Sequence, residues 1–195
     1  MQVRDRLILA AERLFAEHGA LDTTLSDIRA DVGVSVGALY HHFPDKSQLY
    51  RQVWEHALGD YQEQFWNVLR DSDTAEDGIK AVVAQHLHWV ASNRSRATVL
   101  MGAKPAGMAS NAANVEFFRN TMRWWRTHAG YDAVKALDFN VVYALWLGPA
   151  QEFSRLWLGG ELEQDPTDVA DVLADAAWQA VKAPDIRTPD TKETR

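Results

Sequence analysis

Between Leu49 and Leu69 an apolar residue returns at every fourth position. This spacing keeps the side chains on one face of an α-helix, whereas a strand would need alternation at every second position. No stretch of the chain sustains such alternation, and spacings of three and four recur along most of it. The sequence therefore predicts an all-α fold in which each helix buries one stripe. The long series is Leu49, Val53, Ala57, Tyr61, Phe65 and Leu69.

Three shorter helices are expected before this series. The first carries an apolar stripe from Leu7 to Phe15 and ends at Gly19. Thr24 can cap a second helix over Leu25–Asp31, and a third over Val36–Phe43 ends at Pro44. We expect residues 1–45 to form an N-terminal three-helix domain.

The remaining helices are expected to build a second domain over residues 46–183. Thr74 with Asp77 resembles a capping box, and Asp165-Pro166 is a strong helix start. Gly102–Asn114 has a loop composition, and residues 184–195 form an expected disordered tail. The predicted helices run from Lys46 to a break at Asp71–Thr74, then over Ala75–Ala91, Ser95–Met101, Val115–His128, Ala136–Leu158 with Pro149 inside it, and Pro166–Lys182.

Composition excludes several classes of function. The chain has no cysteine, which removes disulfides, thiol nucleophiles and zinc sites with Cys ligands. His86 and His88 diverge on a helix and make no metal pair. No pattern of nucleophile and base is present, so we expect no enzyme, no metal and no cofactor. No apolar run could span a bilayer and no signal peptide is visible, so we expect a cytoplasmic protein without membrane contact.

Charge is distributed unevenly. The chain has a formal net charge of −7. Residues 1–51 carry six basic and seven acidic side chains, a net −1, which leaves −6 for the rest. This balance argues against nonspecific coating of nucleic acid but permits a few placed phosphate contacts.

The second and third helices, joined by a turn at Gly33, have the sequence form of a helix-turn-helix. In that motif the second helix enters the DNA major groove with its N-terminal residues at base edges. Ser35 stands at this N-terminus, and Gly37 would allow a close backbone approach. Spacing alone leaves open an ordinary three-helix pack with a polar outer face.

Residues Leu7 to Tyr50 resemble the DNA-binding domain of TetR/AcrR-family transcriptional regulators. The likeness covers about a quarter of the chain; the rest is similar only in being all-helical and of suitable length. The motif residues that carry the likeness are Ala10-Ala11, Leu14-Phe15, Gly19, Thr23-Thr24, Asp27-Ile28, Gly33-Val34-Ser35, Gly37-Ala38-Leu39-Tyr40-His41-His42-Phe43 and Lys46.

The resemblance implies roles for individual positions. Phosphate contacts are implied for Thr24, Ser35, Tyr40, His42 and Lys46, contacts with base edges for Val36, Gly37 and His41, and core positions for Leu25, Ile28, Val34, Leu39 and Phe43. The chain departs from the family pattern where Arg29 replaces a small residue and Leu21 an aromatic one. The reading helix contains no Arg or Lys, which removes the commonest guanine contact.

The family also carries an all-helical C-terminal domain that binds a small molecule and dimerises. Here many aromatic residues follow the first domain, and an apolar pocket with a few polar groups is the usual ligand site between helices. A place in the core remains the commoner fate of any one of them, and His86 is equally open to a bonded core role. We expect the helices over 46–70, 75–91 and 115–128 to enclose the pocket, with the 102–114 loop at its mouth. The candidate pocket residues are His86, Trp89, Phe117, Asn120, Trp124 and Tyr143.

The last two predicted helices offer faces for an isologous dimer interface. In Pro166–Lys182 a stripe of Val169, Leu173, Ala176 and Ala180 could face the chain's own domain while a smaller stripe faces a partner. A monomeric bundle is the alternative, although a single small module rarely supplies enough operator affinity. The predicted interface residues are Leu145, Pro149, Glu152, Leu156, Ala170, Ala174, Ala177 and Val181.

Together these features favour a homodimeric repressor of a pseudo-palindromic double-stranded DNA operator. We expect a small-molecule effector, largely apolar because no paired Arg or Lys lies in the pocket helices, to release it. Two alternatives remain: a DNA-binding protein of this fold without a ligand, and an all-α small-molecule-binding protein. A real cavity lined by the aromatic residues would separate the first alternative from the main hypothesis.

Overall fold

The computed structural model describes residues 1–108 and 111–184. This part of the chain holds no β-strand, only an isolated bridge between Val134 and Lys182, which confirms the predicted all-α class. A 3-10 helix at Pro166–Val169 leads into the last α-helix. The α-helices are α1 (Val3–His18), α2 (Leu25–Val32), α3 (Val36–His42), α4 (Lys46–Arg70), α5 (Ala75–Ser92), α6 (Arg94–Met101), α7 (Ala112–Gly130), α8 (Phe139–Trp146), α9 (Gly148–Leu158) and α10 (Ala170–Val181).

Local side-chain bonds fix many of the helix starts. The Thr24 hydroxyl accepts a hydrogen bond from the Asp27 amide at 3.2 Å, and the Asp27 carboxylate accepts one from the Thr24 amide at 2.9 Å. This capping box closes the start of α2. Gly33 ends α2 in the left-handed region, with φ 70°, where a residue with a Cβ would be strained.

Several predicted boundaries differ from the structure. The helix expected over Ala136–Leu158 is two helices, because α8 ends at Trp146 and α9 begins at Gly148. Pro149 lacks the amide hydrogen that a continuous helix would need, whereas in the first turn of α9 this missing donor costs no intrahelical hydrogen bond. α7 begins at Ala112 rather than at Val115. Asn111 caps this earlier start, because its side chain accepts a hydrogen bond from the Ala113 amide. The expected tail lies almost wholly outside the described residues.

We call α1–α3 together with residues 46–54 of α4 the head. Its core is one apolar cluster drawn from all four helices, and Leu7, Ile28, Leu39 and Leu49 are almost fully buried there. Val99 of α6 joins the same cluster. The head therefore packs onto the rest of the chain through shared apolar contacts.

The remaining helices form what we call the body. α5 packs against α4 and α10, and the core between them is rich in aromatic rings. Two buried indoles are held by backbone carbonyls: Trp146 Nε1 donates to Ile79 at 3.0 Å, and Trp125 Nε1 donates to Lys135 at 3.1 Å. These bonds allow large amphipathic rings to be buried without unpaired donors.

An ion network joins head and body. Arg96 of α6 donates from Nε to the Glu12 carboxylate of α1 and pairs through Nη1 with Asp60 of α4, both at 3.1 Å. Asp60 also accepts a hydrogen bond from Trp89 Nε1 of α5 at 2.7 Å. Glu12 is only 8% exposed, so this network supplies the compensation that a buried carboxylate requires.

Candidate nucleic-acid interface and candidate ligand cavity

The start of α3 presents an open surface. Val36 and Tyr40 are 57% and 51% exposed, unusually high for apolar and aromatic side chains. Ser35, Gly37 and His41 are exposed on the same helix start or face. Within residues 1–108 and 111–184 the Tyr40 hydroxyl has no hydrogen-bond partner, so it is free to donate to another molecule.

The two capping residues differ in what they leave available. The Ser35 hydroxyl accepts from the Ala38 amide at 3.2 Å, which leaves its own hydrogen free for a phosphate. The Thr24 hydroxyl donates to Asp27 at 2.6 Å, and the Thr24 amide is bonded to the same carboxylate. Thr24 therefore acts first as a helix cap, and a phosphate contact would require it to give up one of these bonds.

Other predicted contact residues are partly used inside the head. Lys46 Nζ donates to the carbonyls of Leu21 and Thr23 at 3.0 and 3.1 Å, which leaves one of its three donors for a phosphate. His42 is half-buried between the rings of His41 and Phe43. Arg29, which departs from the family pattern, turns back to the Val34 carbonyl at 3.4 Å and supports the turn.

The body contains a partly open, apolar cavity of about 80 Å³ between α4, α7 and α8. Rings from all three helices line it, among them Phe65, Phe117, Trp125 and Phe139. Its polar lining groups are already bonded within the protein. Gln62 donates to Asn114 at 2.8 Å, and the Thr121 hydroxyl donates to the Phe117 carbonyl at 3.0 Å. The cavity therefore favours an apolar occupant over water.

An open cleft of about 490 Å³ adjoins this cavity. The cavity and the cleft share four lining side chains, Leu58, Tyr61, Phe118 and Tyr143, which form the wall between them. Beyond the wall the cleft is lined by charged and aromatic residues of α4, α5, α9 and the 102–108 segment, including Trp54, Trp89, Lys104, Glu152 and Arg155.

His86 is a bonded core residue that borders the cleft. Its Nδ1 lies 3.0 Å from the Tyr61 hydroxyl and its Nε2 lies 3.2 Å from Ser154 Oγ. Burial lowers the pKa of His86 to about 4, and the hydrogen bond with the Ala150 backbone opposes this shift. The ring is therefore neutral at pH 7, with one nitrogen donating and the other accepting.

The family model and a curated relative match short segments of the chain. The family model described as "Bacterial regulatory proteins, tetR family" matches residues 7–53. The HTH-type transcriptional regulator AcrR of Shigella flexneri is 41% identical over 54 residues. Residues 7–53 therefore resemble the DNA-binding domain of tetR-family regulators. The AcrR alignment covers 28% of this chain and about a quarter of the relative.

Solved structures extend the likeness of this chain to its whole fold. A TetR family transcription regulator from Marinobacter aquaeolei VT8 superposes with a TM-score of 0.79 at 17% identity, covering 93% of this chain and 96% of that one. FadR from Bacillus subtilis in complex with stearoyl-CoA gives 0.74 at 16% identity, covering 90% and 98%. At this identity the likeness concerns the fold alone.

The predicted pocket residues divide into three groups. Phe117 and Tyr143 line the cavity, and His86 and Trp89 line the cleft together with Tyr143. Asn120 and Trp124 lie on the other side of α7 at a shallow surface hollow, so their assignment to the pocket is wrong. Trp124 packs instead on Trp146 and His128. The expected enclosure by α5 is also wrong, because α8 closes the cavity and α5 reaches only the cleft.

The predicted dimer stripe on α10 also needs correction. Ala170, Ala174, Ala177 and Val181 are at most 5% exposed in a single chain, because they pack into the core of the body. They have no surface left for a partner. The open side of α10 carries Val172, 70% exposed, and Ala176. On α8 and α9 the predicted residues are accessible: Leu145, Pro149 and Glu152 are exposed and Leu156 is half-buried.

Three residues of the site were missed by sequence reasoning. Tyr61 was assigned only to a helix stripe, yet it lines both the cavity and the cleft. Trp54 and Arg96 carried no signal beyond residue type. In the described part of the chain no group of three His, Asp or Glu side chains could hold a metal ion, and no helix is long and apolar enough to cross a membrane.

Proposed function

We propose that this chain is a DNA-binding transcriptional regulator whose α3 lies in the major groove of operator DNA. The observation that carries the proposal is the exposed face of α3, where Val36 and Tyr40 are more than half exposed beside Ser35, Gly37 and His41. Contacts between such exposed side chains and the base edges and phosphates of DNA would contribute favourable binding free energy. The tetR family match over this segment supports the same assignment.

The regulator acts as a homodimer. A single α3 reads too few base pairs for tight binding, whereas two related by a two-fold axis read a pseudo-palindromic operator. The interface uses the open surface of α8, α9 and α10, with Leu145, Pro149, Leu156, Val172 and Ala176 at its centre. These side chains are apolar or small and accessible, which suits an isologous contact.

A largely apolar small molecule releases this repressor from its operator. The ligand occupies the cavity and the adjoining cleft together, because about 80 Å³ alone would hold only a few waters. The FadR structure that shares this fold was solved with stearoyl-CoA, an amphiphile with a long apolar tail. By analogy with that neighbour, the tail of an effector lies among the rings of α4, α7 and α8.

The Arg96 network couples the ligand site to the head. Trp89 lines the cleft and donates a hydrogen bond to Asp60. Asp60 forms an ion pair with Arg96, which also pairs with Glu12 of α1. A ligand that displaces Trp89 or Tyr61 changes the packing of α4 and α6 against the head. The separation between the two α3 helices of the dimer then no longer fits the operator. Such a ligand must bind the released state more tightly than the DNA-bound state.

DNA binding by Tyr40→Phe tests the assignment of the interface. The hydroxyl has no partner inside the described chain, so its loss leaves stability unchanged. We expect affinity for operator and random duplexes to fall by a similar factor, because a phosphate contact carries no sequence information. Tyr131→Phe is the matched control, since Tyr131 is 80% exposed on the body. Equal binding by wild type and Tyr40→Phe on both duplexes would contradict the assignment of this residue.

A further inference from the structure

A side chain in the wall of the cleft carries a buried hydrogen-bond donor without an acceptor. Trp54 is 5% exposed and lines the cleft, and its Nε1 has no hydrogen-bond partner in the described part of the chain. The other buried indoles, those of Trp89, Trp125 and Trp146, all donate to an oxygen. A buried donor left unpaired costs free energy, so an acceptor supplied by a bound molecule would be favourable here.

A cation lies over the same indole. Lys104 Nζ is 5.9 Å from the centre of the Trp54 ring. No carboxylate within residues 1–108 and 111–184 forms an ion pair with Lys104. The other cation of the cleft, Arg155, is already paired with Glu152 at 2.8 Å and with Glu161 at 3.4 Å. In a chain of net charge −7, the cleft thus holds one cation that is not neutralised.

The polar and apolar parts of the site are separated in space. All the polar lining groups of the cavity are bonded internally, whereas Trp54, with its unpaired donor, and Lys104, the free cation, line the cleft. Between them stand Phe118 and Tyr143; Phe118 is half-buried and Tyr143 is 36% exposed. The Tyr143 hydroxyl accepts a single hydrogen bond from Gln151. Rotation of these two side chains would join the cavity to the cleft without breaking the core.

We propose that the ligand is an amphiphile with a carboxylate head group. Its head lies in the cleft, pairing with Lys104 and accepting a hydrogen bond from Trp54 Nε1 once a movement of the indole exposes this buried atom, and its apolar tail passes Phe118 and Tyr143 into the cavity. This inference rests on the proposed regulator function and specifies the class of its ligand. A carboxylate satisfies both features at once, because it is an acceptor and an anion.

Calorimetric titration of the full chain tests the head group with four molecules of equal tail length: decanoate, methyl decanoate, decanol and decylamine. We expect decanoate to bind at least about tenfold more tightly than the ester or the alcohol, and decylamine to bind most weakly. Hexanoate should bind at least about tenfold more weakly than decanoate, because fewer methylene groups are buried in the cavity.

Two substitutions locate the head group. Lys104→Met should lower decanoate affinity by about tenfold and leave the ester unchanged, while Lys182→Met, which removes a cation away from the cleft, should change neither. Trp54→Phe should weaken the acid and the ester alike, because each can accept from the indole.

The results separate this inference from the proposed function. Equal affinity for acid and ester, or equal effects of Lys104→Met and Lys182→Met, would overturn the head-group assignment. Failure of every amphiphile to bind a protein that still binds operator DNA would overturn the inference and leave the regulator proposal intact. Decanoate binding with the predicted preferences in a protein that binds no DNA would support the inference and overturn the regulator proposal.

Discussion

Gly37→Ala separates the stability of the head from its affinity for DNA. Gly37 is the second residue of α3, and a Cβ built at this position meets no atom within 4 Å. Alanine is therefore accommodated without strain in the free protein. Replacing a helical glycine by alanine gains about 0.5–1 kcal/mol, because less backbone entropy is lost on folding. We expect the lower end of this range, since the position lies in the first turn.

The same methyl group has the opposite effect in the complex. If base edges approach the backbone at Gly37, the added carbon must displace them, and overpacking of a close interface costs about 1–3 kcal/mol. Operator affinity should then fall by roughly 5- to 150-fold while the free energy of unfolding rises. Urea denaturation measures the first quantity, and titration of a duplex selected from random sequences measures the second.

Gly59→Ala is the matched control for this experiment. Gly59 lies in the middle of α4, where a Cβ also meets nothing within 4 Å, and it is outside the head. It should stabilise the protein by about 1 kcal/mol without changing DNA affinity. If Gly37→Ala binds the operator as tightly as wild type, the DNA does not approach the start of α3 as we propose.

Three further predictions follow from the body and its junction with the head. Arg96→Met should lower the free energy of unfolding, measured by urea denaturation, by about 3 kcal/mol, because it removes the cation that pairs with the buried Glu12 carboxylate. The double variant with Glu12→Gln should recover part of this loss. Additive losses from the two substitutions would argue against the pairing. Val172→Glu should dissociate the dimer in sedimentation without unfolding the chain, whereas Val115→Glu on the exposed side of α7 should leave it dimeric; an intact Val172→Glu dimer would place the interface elsewhere. The pKa of His86 is lowered from 6.5 to about 4, so as the pH falls the unfolded chain binds a proton at this side chain before the folded chain does. The neutral ring therefore contributes about 3 kcal/mol to the free energy of unfolding above pH 6.5, and this contribution is lost as the pH falls to about 4. His86→Asn should be less sensitive to pH than wild type in this window, and parallel stability curves for the two proteins would contradict the assignment.

The sequence by itself determined the features that depend on neighbouring residues. The apolar spacing from Leu49 to Leu69 predicts the helix α4 because a period of nearly four is a property of one helix alone. Thr24, Ser35 and Thr74 cap their helices through backbone amides three residues away, so their roles could be read locally. The exposed face of α3 followed in the same way, once its core stripe was assigned.

Only the tertiary structure decided which of two similar faces a helix buries. α10 carries two apolar stripes. The stripe predicted for the dimer is buried in the core of the body, because its alanines allow close packing on α5. On α7 the choice between Trp124 and Trp125 for the cavity depended on the direction of α8, which no residue of α7 specifies. The same holds for Trp54 and Arg96. An unpaired indole and an ion network are relations between residues far apart in the chain, and neither exists until α1, α4, α5 and α6 are packed together.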